Sequence, residues 1–264
     1  MVDRRRLMEF RMLGPLEVRI GGAPVHLGGS RQQTVLAALL ANAGRPLQRR
    51  RLGGMVWSDP PPSAGPNLRT YLRRLRSALT DPLSLESRVV ADRRQVTLRT
   101  EPGEVDAEVF DEWCRRADSA REAGDAAAAL DWYDRALRLW RGSPLEGIDV
   151  DNPLYPTAVE LTERRYAVES RRWGLLVEAG DVAAAIGELR AAVRANPFRE
   201  RLTELLMLAL SKDHRRWEAL QVYAQTRDLM IESAGLEPGP RLRRLHRRIL
   251  DDGLDDGLED GLDR

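Results

Sequence analysis

The stretch PNLRTYLRRLRSAL, residues 66–79, concentrates guanidinium groups. Arg69, Arg73, Arg74 and Arg76 lie within it and no acidic residue interrupts them. A guanidinium can fork two parallel N–H bonds onto a phosphate or onto the O6/N7 edge of guanine, so the segment carries the chemistry to grip a polyanion and to read it. Asn67, Thr70 and Ser77 add short donors and acceptors suited to base edges. The expected roles divide accordingly: Asn67, Thr70, Arg73, Arg74 and Ser77 for bases, and Arg31, Arg69, Arg76, Arg93 and Arg94 for phosphates, which set register without reading sequence.

These side chains need a platform. Leu68, Leu72, Leu75 and Leu79 fall in one narrow stripe at 100° per residue, which predicts a single amphipathic helix over 63–79. Ser63 or Gly65 would cap it, with Pro66 in its first turn, where a missing N–H does no harm. An arginine face opposite a leucine stripe is also what an ordinary solvated helix displays. Three features favour DNA: the absence of acids, the charge excess of the surrounding segment, and a basic hairpin at the following position. Residues 1–100 hold 18 basic and 7 acidic residues, whereas 101–264 hold 24 basic and 34 acidic, so the overall net charge of +1 hides two opposed halves.

The elements around this helix follow from local signals. EFRMLGPLEVRIGGAPVHL reads as two or three short antiparallel strands with a tight turn at Gly21-Gly22. SRQQTVLAALLANAG reads as a buried helix opened by a capping box of Ser30 and Gln33 and stopped by Gly44. A further helix over 48–57 ends before Pro60-Pro61-Pro62, although Gly53-Gly54 weakens it by about 1 kcal/mol per glycine against alanine. RVVADRRQVTLRT reads as two strands joined at Asp92-Arg93. Strands, three helices and a hairpin make a winged helix, whose third helix enters the major groove.

Beyond residue 104 the pattern is all helical. AGDAAAALDWYDRALRLW (123–140) and AGDVAAAIGELRAAVRANP (179–197) are similar, and DHRRWEALQVYAQTRDLM (213–230) is a weaker third copy. Ala129, Ala185 and Ala219 align, as do Tyr133, Leu189 and Tyr223. The last two copies are offset by 34 residues, the tetratricopeptide period. Intervening helices are expected over 106–122, 154–179, 199–212 and 239–250. Trp113, Trp132, Trp140 and Tyr133 are assigned to packing. The final DDGLDDGLEDGLDR reads as a disordered acidic tail, with an acidic-hydrophobic interaction segment as the alternative.

Several classes are disfavoured. His26, His214 and His246 are scattered without metal-ligand spacing, and GGAPVHLGGS lacks the Gly-Lys-Ser/Thr ending that grips nucleotide phosphates. No enzymatic constellation, cofactor or metal site is expected. A single cysteine, Cys114, excludes an intramolecular disulfide. No signal peptide or membrane-spanning segment is read, so a cytoplasmic, nucleoid-associated protein is expected.

FRMLGPLEVRIGG, SRQQTVLAALLANAGRPLQRRRL, VWSDPPPSA and LRTYLRRLRSAL resemble, in order and spacing, the winged helix of the Streptomyces antibiotic regulatory proteins. EVDAEVFDEW, ALRLWRGSPL, NPFRERLTELLMLAL and EALQVYAQTRDLMIESAGLEPGPRLRRLHRRIL resemble the bacterial transcriptional activation domain of the same family. Two departures stand out: Ala91-Asp92-Arg93-Arg94 replaces a Pro-Gly-Tyr-like wing turn, and Gly53-Gly54 replaces residues that favour a helix.

The resemblance implies a mainly α protein. A winged helix-turn-helix with small antiparallel sheets (8–100) precedes an all-α tetratricopeptide-like activation domain (104–250) and an acidic tail (251–264). It also implies an activator that binds direct repeats in double-stranded DNA upstream of promoters, as a homodimer on those repeats, and recruits RNA polymerase holoenzyme, in many relatives for secondary-metabolite genes. The rival reading is a helical-repeat adaptor whose basic N-terminal domain docks an acidic protein.

Overall fold

The computed structural model describes residues 8–82, 84–148 and 151–251. The first seven residues, residue 83, residues 149–150 and the acidic tail from residue 252 onward lie outside them. Two compact units are formed, one from the residues up to Asp118 together with Asp134–Arg165, the other from Ser119–Tyr133 together with Tyr166 onward.

The first unit begins with an antiparallel sheet of β1 (Met8–Arg11), β2 (Glu17–Ile20) and β3 (Ala23–Pro24), in that order. Gly21 and Gly22 turn the chain between β2 and β3 with φ of 56° and 84°, a region open to glycine but costly for a β-carbon. Helices α1 (Ser30–Leu40), α2 (Arg49–Val56) and α3 (Ala64–Ala78) follow, then the hairpin β5 (Val89–Ala91) and β6 (Gln95–Leu98). A two-residue strand, β4 (Leu47–Gln48), sits between α1 and α2 and pairs with β6, giving the order β4-β6-β5. β4 escapes sequence reading because two residues carry no alternation.

The start of α1 corrects one expectation. Gly29, not Ser30, is the N-cap, and Ser30 is already helical. With Ser30 inside the helix no capping box forms: its carbonyl accepts from the Thr34 hydroxyl at 3.0 Å, and the Gln33 amide turns back to the Gly28 carbonyl at 3.0 Å. The helix ends at Leu40 with Ala41 as its C-cap, earlier than the expected stop at Gly44, which takes φ 70° in the following turn and donates its N–H to the Leu98 carbonyl on the hairpin at 2.9 Å. Val35, Leu36, Ala38 and Leu39 of α1 are almost completely buried and form the centre of this unit.

The helical region contains α4 (Asp106–Glu122), α5 (Ala126–Leu137), α6 (Tyr155–Glu178), α7 (Val182–Ala195), α8 (Glu200–Lys212), α9 (Arg216–Ala234) and α10 (Pro240–Leu250). The aligned small positions Ala129, Ala185 and Ala219 are fully buried, which lets paired helices approach closely. In the second unit α8 is the central element, packed by α7, α9 and α10 around Leu205, Met207, Ala209 and Leu210. Gly235 closes α9 in the left-handed conformation at φ 67°. Among the described residues no helix is long and apolar enough to cross a membrane, and no group of three or more His, Cys, Asp or Glu is arranged to hold a metal ion.

His246 on α10 stacks on Tyr223 of α9, with ring centroids 3.9 Å apart. Its burial there disfavours the charged imidazolium and lowers its pKa below the ordinary 6.5. The unfolded chain then binds the proton more readily than the folded one, so stability is retained above the unfolded value and lost as pH falls through the folded one. Thermal unfolding followed between pH 7.5 and 5 should show the second unit losing stability at the acid end. His246→Phe should flatten that part of the profile; an unchanged profile would remove the imidazole as its cause.

Candidate nucleic-acid interface

α3 turns inward along the expected stripe. Leu68, Leu72, Leu75 and Leu79 are all buried, and at roughly 1.5–3 kcal/mol for each buried leucine they fix the helix's rotation about its axis. A stack between Trp57, at the end of α2, and Tyr71 adds a lateral restraint, with centroids 6.4 Å apart and an interplanar angle of 24°. The end of α3 is held as well: the Arg76 carbonyl accepts from the hydroxyls of Thr80 at 3.0 Å and Ser87 at 2.7 Å. The observed N-cap is Ser63, although its side chain makes no capping bond; its hydroxyl accepts from the Asn67 amide at 3.2 Å.

With the leucines fixed, Arg69, Arg73, Arg74, Arg76 and Ser77 are exposed, and Asn67 and Thr70 are half-buried. None of Arg69, Arg73, Arg74 and Arg76 donates a side-chain hydrogen bond or forms an ion pair among the described residues. Other arginines of this unit behave differently. Arg11 pairs with Glu9 at 2.7 Å, Arg19 with Glu17 at 2.6 Å, and Arg88 with Glu104 at 2.8 Å and Asp81 at 3.3 Å. The contrast matters because an exposed arginine that is already paired would have to surrender its carboxylate before taking a phosphate.

The exposed arc of α3 has two flanks. Arg73, Arg76 and Ser77 line a groove of about 600 Å³ between α3 and the hairpin, together with Glu86, Val90 and Arg99. At 100° per residue Arg74 and Asn67 lie on the other flank of the same exposed arc, about 60° and 80° from Ser77. The groove therefore brings together Arg73, Arg76 and Ser77, while Arg74 and Asn67 do not line it.

The hairpin turn falls at Asp92, where the sequence reading joined the two strands, and it is closed by that residue's side chain. The Asp92 carboxylate accepts from the backbone N–H of Arg94 at 2.6 Å and of Gln95 at 2.7 Å. Those bonds, with Gln95's the larger, and the nearby Arg49 and Arg94 charges hold its pKa below the usual aspartate value. The Asp92 carbonyl in turn accepts from Arg49 Nε at 2.9 Å, and the Arg94 carbonyl from the Arg49 N–H at 2.9 Å. A side-chain-closed turn thus does the work of the missing Pro-Gly-Tyr, leaving Arg93 and Arg94 exposed and unpaired. The readable signal is an aspartate two residues before a free backbone N–H, the local pattern of an Asx turn.

Arg31 stands apart from the other expected phosphate ligands. It is exposed, but its Nη1 donates to the Val56 carbonyl at 3.1 Å, tying α1 to the end of α2.

A helix-turn-helix with an unpaired cationic face and a closed wing, followed by paired helices, is the build of a bacterial transcription regulator. The sequence profile of the bacterial transcriptional activator domain matches residues 105–250. The regulatory protein AfsR of Streptomyces coelicolor is 39% identical over 247 residues, covering 92% of this chain and 24% of its own length. The regulatory protein DnrI of Streptomyces peucetius is 28% identical over 250 residues, covering 92% of each. The solved structure of Mycobacterium tuberculosis EmbR in complex with a low-affinity phosphopeptide matches with a TM-score of 0.86 at 29% identity, over 93% of this chain and 65% of that one. The chain belongs to the Streptomyces antibiotic regulatory protein family of transcriptional activators. It spans about a quarter of the length of AfsR.

Proposed function

We propose that this activator binds double-stranded DNA in a sequence-specific manner through α3 and its wing, on direct repeats upstream of promoters. On this reading two protomers occupy neighbouring half-sites, and the helical region helps recruit RNA polymerase holoenzyme to genes of secondary metabolism, in the cytoplasm at the nucleoid. Residues 8–100 would carry the DNA contact and 104–250 the activation. Asn67, Thr70, Arg73, Arg74 and Ser77 read bases; Arg69, Arg76, Arg93 and Arg94, with Arg31 at the edge, take phosphates.

One observation carries the reading: the arginines of α3 are exposed and unpaired among the described residues, in a unit where Arg11, Arg19 and Arg88 are neutralised by carboxylates. The division of labour is testable on one residue. Arg74→Ala should weaken binding to the specific upstream site by roughly 5- to 150-fold, the value of one bidentate base contact at about 1–3 kcal/mol, while random duplex loses much less. Gel-shift titrations on both DNAs check this, and equal losses would move Arg74 to the backbone contacts. A protein that forms no discrete, competitor-resistant complex with such DNA would instead favour the basic face docking an acidic protein.

A further inference from the structure

Three residues other than glycine take a left-handed backbone among the described residues: Leu85, Leu145 and His214, with φ of 58°, 52° and 57°. Two of them have a reason inside the fold. Leu145 is buried and its N–H donates to the Met12 carbonyl at 3.0 Å, so core packing holds it. His214 follows the end of α8, where a helix commonly closes through one left-handed residue, and histidine visits that region more readily than aliphatic residues do. Leu85 has neither reason. It lies between α3 and β5, and it is 79% exposed. Glycine or asparagine would take this φ at little cost, whereas leucine sets its β-carbon against the backbone to do so.

Hydrogen bonds hold this conformation in place. The Asp81 carbonyl accepts from the Leu85 N–H at 2.9 Å, and the Asp81 N–H donates to the Glu86 carbonyl at 2.8 Å. The Asp81 carboxylate accepts from the Ser84 N–H at 3.1 Å and lies 3.3 Å from Arg88. Leu85 is thereby kept in the wall of the groove of about 600 Å³ that Arg73, Arg76 and Ser77 also line. We propose that Leu85 is a specificity-determining residue of the DNA interface, packing its methyl groups on the C5-methyl of a thymine in each half-site. On the reading that α3 enters the major groove, on which this rests, the thymine methyl is the one apolar group that base edges present there. Guanidinium and hydroxyl neighbours supply the polar contacts and the leucine supplies the apolar one. A protein partner fits these surroundings less well. Val90, 38% exposed, is the other exposed large apolar side chain in the groove among the described residues, and two such groups fall short of a docking patch of several hundred Å². Strain retained at an exposed side chain beside unpaired arginines is instead what a recognition residue shows.

The test uses the full chain and the upstream duplex that forms the discrete complex, with each thymine in turn replaced by deoxyuridine. That base keeps every hydrogen-bonding edge and lacks only the methyl. At one position per half-site the replacement should weaken wild-type binding by roughly 4-fold, about what one covered methyl contributes. Leu85→Ala should weaken binding to the thymine duplex by a similar factor and should no longer distinguish deoxyuridine at that position. Leu85→Asn should do the same while melting no earlier than the wild type, because asparagine accepts the left-handed backbone. Both variants should bind random duplex as the wild type does.

Variants that bind the thymine duplex as tightly as the wild type would overturn the assignment, leaving Leu85 without a contact. So would equal losses on specific and random duplex, which would place the side chain on the sugar-phosphate backbone. A deoxyuridine effect that survives in both variants would give the methyl to another residue, and earlier melting of both would make the leucine part of the fold; either result also overturns it. The two levels fail separately. A wild-type chain that forms no discrete complex sinks the reading of α3 and Leu85 together, whereas a discrete complex indifferent to both substitutions sinks Leu85 alone.

Discussion

Asp106→Ala should lower the thermal midpoint of the first unit by roughly 5–15 °C. The Asp106 carboxylate is buried at the start of α4 and accepts from the Met12 N–H at 2.9 Å and the Leu13 N–H at 3.0 Å, across 94 and 93 residues of sequence. Arg141 completes the arrangement. Its Nη2 lies 3.8 Å from the carboxylate and donates to the Pro15 carbonyl at 3.1 Å, and its backbone N–H donates to the Leu13 carbonyl at 2.9 Å. Alanine would strand two backbone donors in the interior at about 1–3 kcal/mol each, so roughly 2–6 kcal/mol in total, and each kcal/mol moves the midpoint by about 2–4 °C in a unit of this size.

Asp106→Asn keeps one acceptor oxygen and should cost less. Burial raises the Asp106 pKa above its ordinary value, outweighing the Met12, Leu13 and Arg141 interactions that lower it. Its protonated form is therefore favoured on folding, so its contribution should decline as pH rises from about 3.9 through the raised value, and the Asn variant should lack that decline. Circular dichroism melts across pH 4–7 test both statements; a wild-type midpoint unmoved by the alanine substitution would show the two N–H groups to be satisfied without Asp106.

The second large effect is ionic. If the proposed interface makes about 6–10 phosphate contacts, affinity for DNA should fall by about 10³–10⁵ between 50 and 200 mM salt. Arg93 and Arg94 should account for a definable share. Changing both to alanine should reduce the log–log slope by about 2, equally on specific and random duplex, because phosphate contacts carry no sequence information. Fluorescence anisotropy at four or five salt concentrations measures the slope. An unchanged slope would take the wing off the DNA while leaving the assignment of α3 intact.

What could be read in advance follows a physical line. The rotation of α3 is set by four leucines at helical spacing, a local signal strong enough to fix which side chains face out. The small-residue positions of the repeats are local in the same sense, and Ala129, Ala185 and Ala219 are fully buried. Features missed or misread depend on geometry that spacing does not encode. β4 exists because Leu47 pairs with Val96 some fifty residues later, not because Leu47-Gln48 prefers extension. The capping box failed because the chain entered α1 one residue early, at Gly29. Asp92 was read as the midpoint of a turn, although its carboxylate is what closes that turn. Asp106 reads as the start of the helix expected over 106–122, within a stretch resembling the family, but its partners Met12 and Leu13 are too distant in sequence for any periodicity to reveal.

The grip of Asp106 and Arg141 on residues 12–15 bears on how such proteins diversify. The strand that opens the winged-helix unit is completed by side chains encoded downstream of it, beyond the hairpin. A gene rearrangement that cut between hairpin and helices would hand the recipient a sheet with its seam undone. Ancestral shuffling is therefore expected to have carried the winged helix together with the first helices behind it as one heritable block, with new partners appended past that seam.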